Sequence, residues 1–397
     1  MAVSERRRGT LAVILASATL TVMAGAIIGP VVRQIQLGVG VSESLAGLII
    51  TTHGALIVLV SPIAGVIVDR VGPRRPYIFG LFLYGIGGGA GLAVESFVPL
   101  LLTRVVLGIG VAFVYTGITV LLYSLYEGQR MERALGLRTG ANSVGASVWP
   151  LVGGALGTIS WQAPFGVYLV AIPLGVAAMV LIPETEHGAT APDPETNRRE
   201  RLRAFLAVFR RIPAIPAVYL LYFGANLLLY AIVVFYPQLL GELGITSTAL
   251  VGLYLAAQGI AGGVSSVLYD RLLQRLGRHT LVLLAFTLWI GGLGAAVVVQ
   301  SPLGAVAPVV LFGLGVGQVF PSAFAWIEAL APPDRQGSLS SYIASAGYLG
   351  QFLSPIAFGA VIPLAGIRGV FAAAAIAAVG AFVTLGGALQ IGYRSGI

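Results

Sequence analysis

Four side chains in this sequence could handle protons or charge in apolar surroundings. His53, Arg104 and Glu328 fall within long hydrophobic runs, and Asp69 closes another. An ionisable group inside such a run is costly, so it faces a cavity or a partner. A proton-coupled carrier needs a titratable group whose access alternates between two sides. Asp69, Glu328 and His53 are the candidates. Arg104 stays charged and can only pair with or tune another group. Bond-breaking chemistry finds no support. There are no cysteines and three histidines, which excludes disulfides and thiolate metal sites. No Ser/His/Asp grouping stands out, and every basic residue is arginine. Without lysine no GxxxxGK[ST] phosphate loop exists, so an ATP-driven pump is not encoded here. No catalytic residue, metal or cofactor is expected, and an ion gradient is the expected energy source.

The elements that must hold these residues follow from composition. Of 397 residues, 57% are hydrophobic and 10% charged, with a mean hydropathy of +0.94. Soluble domains carry about 25% charged residues. The chain is therefore expected to be all-α and to cross a bilayer repeatedly. Twelve apolar runs of spanning length are read at about 11–33, 45–68, 76–94, 99–123, 135–157, 164–182, 216–240, 248–268, 280–299, 303–327, 338–363 and 369–391. With the N-terminus inside, every arginine except Arg33, Arg368 and the intramembrane Arg104 falls on the cytoplasmic side. That bias predicts a cytoplasmic (inner) membrane protein with both ends in the cytoplasm. The net charge of +8 sits in short loops where it anchors topology. The expected partners are thus the lipid bilayer and a small molecule, with no nucleic acid, and a monomer is expected.

A polar stretch divides six spans from six, predicting units at 1–182 and 216–397 joined by a linker at 183–215. Within the linker, Leu202, Phe205, Leu206 and Phe209 share a helical face amid arginines, the pattern of a basic amphipathic helix on the membrane surface. The two halves echo each other at an offset of about 200 residues. "RVGPRRP" after the second span answers to "DRLLQRLGRH" after the eighth. Gly108 and Gly110 in the fourth answer to Gly313 and Gly315 in the tenth, and Arg133 and Gly145 to Arg335 and Gly347. Internal duplication is a mark of secondary transporters.

The pattern Gly65-xxx-Asp69-Arg70-x-Gly72-x-Arg74-Arg75, between spans two and three, resembles the signature loop of the major facilitator superfamily, with Pro73 where many members carry a base. The resemblance extends over the whole chain. It implies two pseudo-symmetric six-helix bundles around a central cavity, working by rocking-type alternating access. On that reading Gly65 allows close packing against the other half. Asp69, with Arg70, Gly72, Arg74 and Arg75 around it, forms a latch between the halves on the cytoplasmic side. Arg104 resembles the helix-four arginine linked with proton coupling in antiporters. It shares a helical face with Gly108 and Tyr115. Gly145, Pro150, Gly153 and Gly154 resemble the antiporter-associated fifth-helix motif, with Trp149 where a glycine is usual, and a kink is expected there.

Helices one, four, seven and ten line the cavity in this family. Beside Tyr115 of span four, the expected substrate contacts are Asn226 and Tyr230 of span seven, on one face with Tyr219 and Phe223. Tyr254 and Gln258 of span eight, Gln318 of span ten, and Gln351 with Tyr348 of span eleven complete the set. Aromatic rings with neutral polar groups suit moderately apolar, neutral or cationic organic molecules. A carboxylate or phosphate would call for more arginine than Arg104. The expected function is proton-coupled efflux of the drug-antiporter type. A carrier for one metabolite is the alternative, and a non-transporting receptor is a remote one.

Overall fold

In lipid the backbone has no water to bond with, so apolar segments satisfy their N–H and C=O groups internally as helices. The computed structural model describes residues 2–184, 212, 214–331 and 336–394, and among these residues there is no strand. Twelve helical segments follow in order: α1 Ala2–Ala26, α2 Glu43–Val71, α3 Arg74–Gly89, α4 Phe97–Leu125, α5 Gly128–Gly157, α6 Ala171–Leu181, α7 Ala214–Glu242, α8 Thr248–Val267, α9 Tyr269–Val298, α10 Val306–Leu330, α11 Gln336–Gly359 and α12 Ile362–Arg394. A 3₁₀ turn and a short helix, Val32–Val39, extend α1, and the 3₁₀ segment Ala163–Val170 lengthens α6. A helix covers each of the twelve expected spans. The expected amphipathic helix at 198–211 and Arg335 lie outside the described residues.

Ten of these segments are long and apolar enough to cross a membrane. The other two are α5 and α11, and their packing explains the difference. Across the chain's midpoint, α5 packs mainly on α8 and α11 on α2. A helix covered by its own half on one face and by the other half on another can replace large apolar residues with small and polar ones.

The duplication is visible in backbone and contacts at an offset of 205 residues. Gly72 ends α2 with φ 78° and ψ 159°, and Gly277 interrupts α9 with φ 75° and ψ 157°. That conformation is essentially restricted to glycine. A Cβ on Gly108 would meet the His53 backbone at 3.0 Å, and one on Gly313 would meet the backbone of Gln258. Gly110 abuts Tyr84 and Gly315 abuts Trp289. Each pair differs by 205 in both members, as do the contacts of Gly47 with Pro355 and of Gly252 with Pro150, so Gly145 answers to Gly350 and not, as the sequence spacing suggests, to Gly347. This register places Gln274, not Asp270, opposite Asp69, so the second half lacks an acid at the latch position.

Candidate functional site

Among the described residues, the glycines facing the other half are in close contact at one end and open at the other. Along one face of α2, a Cβ on Gly47 would lie 2.7 Å from Pro355 of α11 and Val234 of α7, and one on Gly54 2.9 Å from the Tyr348 carbonyl. Gly65 is eleven residues, three turns, beyond Gly54 on that face. A Cβ there would meet nothing within 4 Å. The α8 helix repeats this. A Cβ on Gly259 would be 2.6 Å from the Ala146 carbonyl of α5, and Gly252 abuts the Pro150 carbonyl, yet Gly263 faces open space. The seal thus lies at the arginine-poor end, and the halves part toward the end carrying residues 65–75.

The fifth-helix motif builds the seal. Pro150 has no N–H, so the Ala146 carbonyl loses its helical donor four residues on. Gly259 approaches that bare carbonyl, a close pass that a Cα hydrogen can partly satisfy. The helix runs continuously through Pro150 from Gly128 to Gly157. A Cβ on Gly154 would sit 2.5 Å from the Thr248 carbonyl of α8, and the Thr248 hydroxyl donates to the Gly154 carbonyl at 2.8 Å. Gly153 instead abuts the Ile27 carbonyl beside α1. Trp149 occupies the family's glycine position by turning away from α8 and donating to the Thr19 carbonyl of α1 at 2.9 Å.

The signature loop lies at the parted end. Asp69 and Arg70 are exposed, and Asp69 makes no ion pair among the described residues. Arg74 Nη1 lies 3.2 Å and Arg75 Nη2 3.8 Å from Glu184 at the start of the linker, so neither pair reaches the second half. The expectation that Gly65 packs on the other half is not met here, because that contact needs the halves to be together at this end.

Arg104 lies in the interior, 1% exposed, and does not reach toward the membrane surface. Its Nη2 donates to the Gly88 carbonyl at 2.9 Å and the Gly87 carbonyl at 3.4 Å, and the guanidinium lies 4.8 Å from the Phe165 ring centroid and 4.9 Å from that of Tyr168. Gly87 and Gly88 lie in the last turn of α3, whose carbonyls carry the negative end of the helix dipole, and the Gly88 carbonyl also accepts from the Ala90 N–H. A helix terminus and two ring faces thus serve as the counter-charge, and no carboxylate is needed. Although Arg104, Gly108 and Tyr115 share a face of α4, they serve three different contacts: the α3 terminus, the α2 backbone and the other half.

His53 is 2% exposed at the crossing of α1, α2, α4 and α7. Its Nδ1 lies 2.7 Å from the Ile50 carbonyl. A carbonyl can only accept, so the Nδ1 proton is donated there. A Cβ on Gly25 would be 3.0 Å from both His53 Cε1 and Tyr230 Oη, so histidine and tyrosine both close on this glycine at the interface. Glu328, expected within the membrane, is exposed near the end of α10.

The expected substrate residues divide into two groups. Tyr115 meets Tyr348 edge-on across the halves, with centroids 5.7 Å apart. Gln351 Nε2 donates to Asn226 Oδ1 at 2.9 Å, and the Tyr222 ring of α7 lies tilted against Phe320 and edge-on to Phe324 of α10. These residues sit together where the halves diverge. The others do not join them. Tyr254 donates to the Pro302 carbonyl in the α9–α10 loop, at the sealed end. Gln318 donates to Ser265, and so ties α10 to α8. Gln258 is buried, its backbone carbonyl against Gly313. One residue was missed. Arg138 was counted among loop arginines, yet it lies inside α5, its guanidinium 5.1 Å from the Tyr115 ring centroid and its Nη1 3.0 Å from Thr119 Oγ1. The signal was in the sequence: Arg138, Asn142, Gly145 and Trp149 fall at i, i+4, i+7 and i+11, so the helical face already includes it.

The sequence model of the Major Facilitator Superfamily matches residues 14–250 and 218–390. The chain belongs to the Major Facilitator Superfamily. Members of this superfamily are transporters and not enzymes. This member is 26% identical over 212 residues to multidrug resistance protein 1 of Bacillus subtilis, a match spanning 52% of each chain. It is 25% identical over 385 residues to the class C tetracycline resistance protein of Escherichia coli, with 90% of each covered. The nucleoside transporter NupG shares its fold with a TM-score of 0.80 at 14% identity, over 95% of this chain and 98% of that one.

Proposed function

We propose that this superfamily member is a proton-coupled efflux carrier for small, moderately apolar organic molecules. It works by alternating access in the cytoplasmic membrane, with both ends in the cytoplasm. Residues 1–182 and 216–397 are the rocking units, and 183–215 joins them. The observation that carries the reading is the one-sided seal: glycine-on-carbonyl contacts close the arginine-poor end while Gly65, Gly263 and Asp69 stand open at the other. With the arginine-rich end in the cytoplasm, this is an inward-open state. In the alternate state Asp69 meets the other half and latches it.

His53 is the proton carrier on this reading. Among the described residues, His53 and Arg104 are the ionisable acid–base groups buried in the interior apart from tyrosines, and Arg104 is committed to the α3 terminus. Gly108 sets the α2–α4 crossing on which His53 rests, and Arg104 pins α4 to the α3 terminus. The likeness to multidrug and tetracycline resistance proteins favours export and drug-like cargo. The test is transport of a fluorescent drug panel by the reconstituted chain under an imposed pH gradient. Flux that survives collapse of the gradient unchanged would remove proton coupling from the reading.

A further inference from the structure

We propose that Arg138 forms an acid-recognition subsite, so that the preferred cargo carries a carboxylate or comparable anion on an aromatic or apolar body. This names the substrate class of the carrier proposed above and rests on that reading. Arg138 lies ten residues into α5, about 15 Å along it, and Thr119, its partner, lies about 9 Å from the end of α4. Its guanidinium therefore lies away from the α4–α5 connection, half-buried between the two helices. Among the described residues it has no acidic partner: it is held by the Thr119 hydroxyl and the face of Tyr115.

Those contacts orient the guanidinium without neutralising it. A hydroxyl oxygen takes one of five N–H donors, and the ring occupies one face. The in-plane donors suited to a carboxylate remain available. Arg104, by contrast, spends its charge on backbone carbonyls and two rings and is sealed from any ligand.

Pseudo-symmetry argues against a purely architectural role. At the 205-residue offset, Arg138 corresponds to Ile343, a fully buried core residue beside Ile215 and Ala323. The fold is satisfied by an aliphatic side chain there, and only the first half places a cation. The surroundings supply the rest of a ligand. Tyr115 and Tyr348 form an edge-on pair across the halves, a surface for an aromatic ring. One turn along α11, Gln351 Oε1 is buried with no hydrogen-bond partner, an acceptor for a ligand hydroxyl or N–H.

The experiment measures thermal stabilisation of the purified full-length chain by three matched probes: 1-naphthaleneacetate, its neutral amide, and the cationic 1-naphthylethylamine. The acid should stabilise the wild-type chain at concentrations about ten- to a hundredfold below the other two, the worth of a charge-assisted hydrogen bond. Arg138→Gln should abolish that preference while leaving the response to the amide. Arg138→Lys should retain part of it. Equal or stronger stabilisation by the amine or amide, no response to the acid at millimolar concentration, or an acid preference intact in Arg138→Gln overturns the proposal. The wild-type ranking stands even if a variant does not fold. Acid-selective binding with no gradient-driven flux of any compound would instead defeat the transport reading and leave the subsite standing.

Discussion

Gly154→Ala adds a single methyl group to the seal. That carbon would lie 2.5 Å from the Thr248 carbonyl and 3.0 Å from the Gly252 Cα. Nonbonded contacts are comfortable near 3.5 Å, so α5 and α8 must separate by about 0.5–1 Å. Both groups are backbone and cannot swing aside. Overpacking of this kind costs about 1–3 kcal/mol. The cost falls on the state in which the arginine-poor end is closed, and is relieved where the halves part there. The population should shift by about five- to a hundredfold toward the opposite state. The native chain has no cysteine, so spin labels can be placed cleanly. A pair at Val71 and Leu276 reports the arginine-rich end, and one at Leu37 and Leu303 the sealed end, all four being exposed. Gly154→Ala should shorten the first distance and lengthen the second. A folded variant with both distance distributions unchanged would refute the assignment of α5–α8 as the moving seal.

Other expectations follow from neighbouring contacts. Thr248→Val removes the hydroxyl donor to Gly154 and should bias the same two distances in the same direction, by about 1 kcal/mol. Arg104→Ala empties a buried site and removes the guanidinium from the α3 terminus and two ring faces, and should cost about 3 kcal/mol or more. It is measured as a fall in melting temperature in detergent, and an unchanged melting temperature would contradict the pinning role. Asp69→Asn should leave the inward-open distances alone and deplete the alternate state, slowing turnover in a flux assay. A change confined to the inward-open state would count against the latch.

How much of this was legible in sequence depends on whether neighbours in the chain decide the matter. Spans, arginine asymmetry and duplication are local or periodic properties, and ten of the twelve helices are apolar enough for hydropathy to place them. The role of Pro150 was only half readable. Proline predicted a disturbed helix, but its consequence is a bare Ala146 carbonyl used by Gly259, more than a hundred residues away. The cost of a buried charge predicts that Arg104 faces a cavity or a partner, without saying which. The α3 terminus that serves it has no side-chain signature. Tyr254 and Gln318 sit on helices with the right spacing but point to a loop carbonyl and a serine, because rotation about the helix axis is set by packing. Arg138 was hidden by a span boundary drawn three residues before it, in a helix that begins at Gly128.

The central claim is that proton movement and substrate movement are coupled through His53 between two alternating halves. The direct measurement is the pH change inside proteoliposomes, read by a trapped dye, when a transported substrate is added without an imposed gradient. The wild-type chain should drive a substrate-dependent proton flux. His53→Gln should abolish it while preserving downhill substrate exchange. Substrate exchange with no proton flux in the wild type, or undiminished proton flux in His53→Gln, would contradict the account.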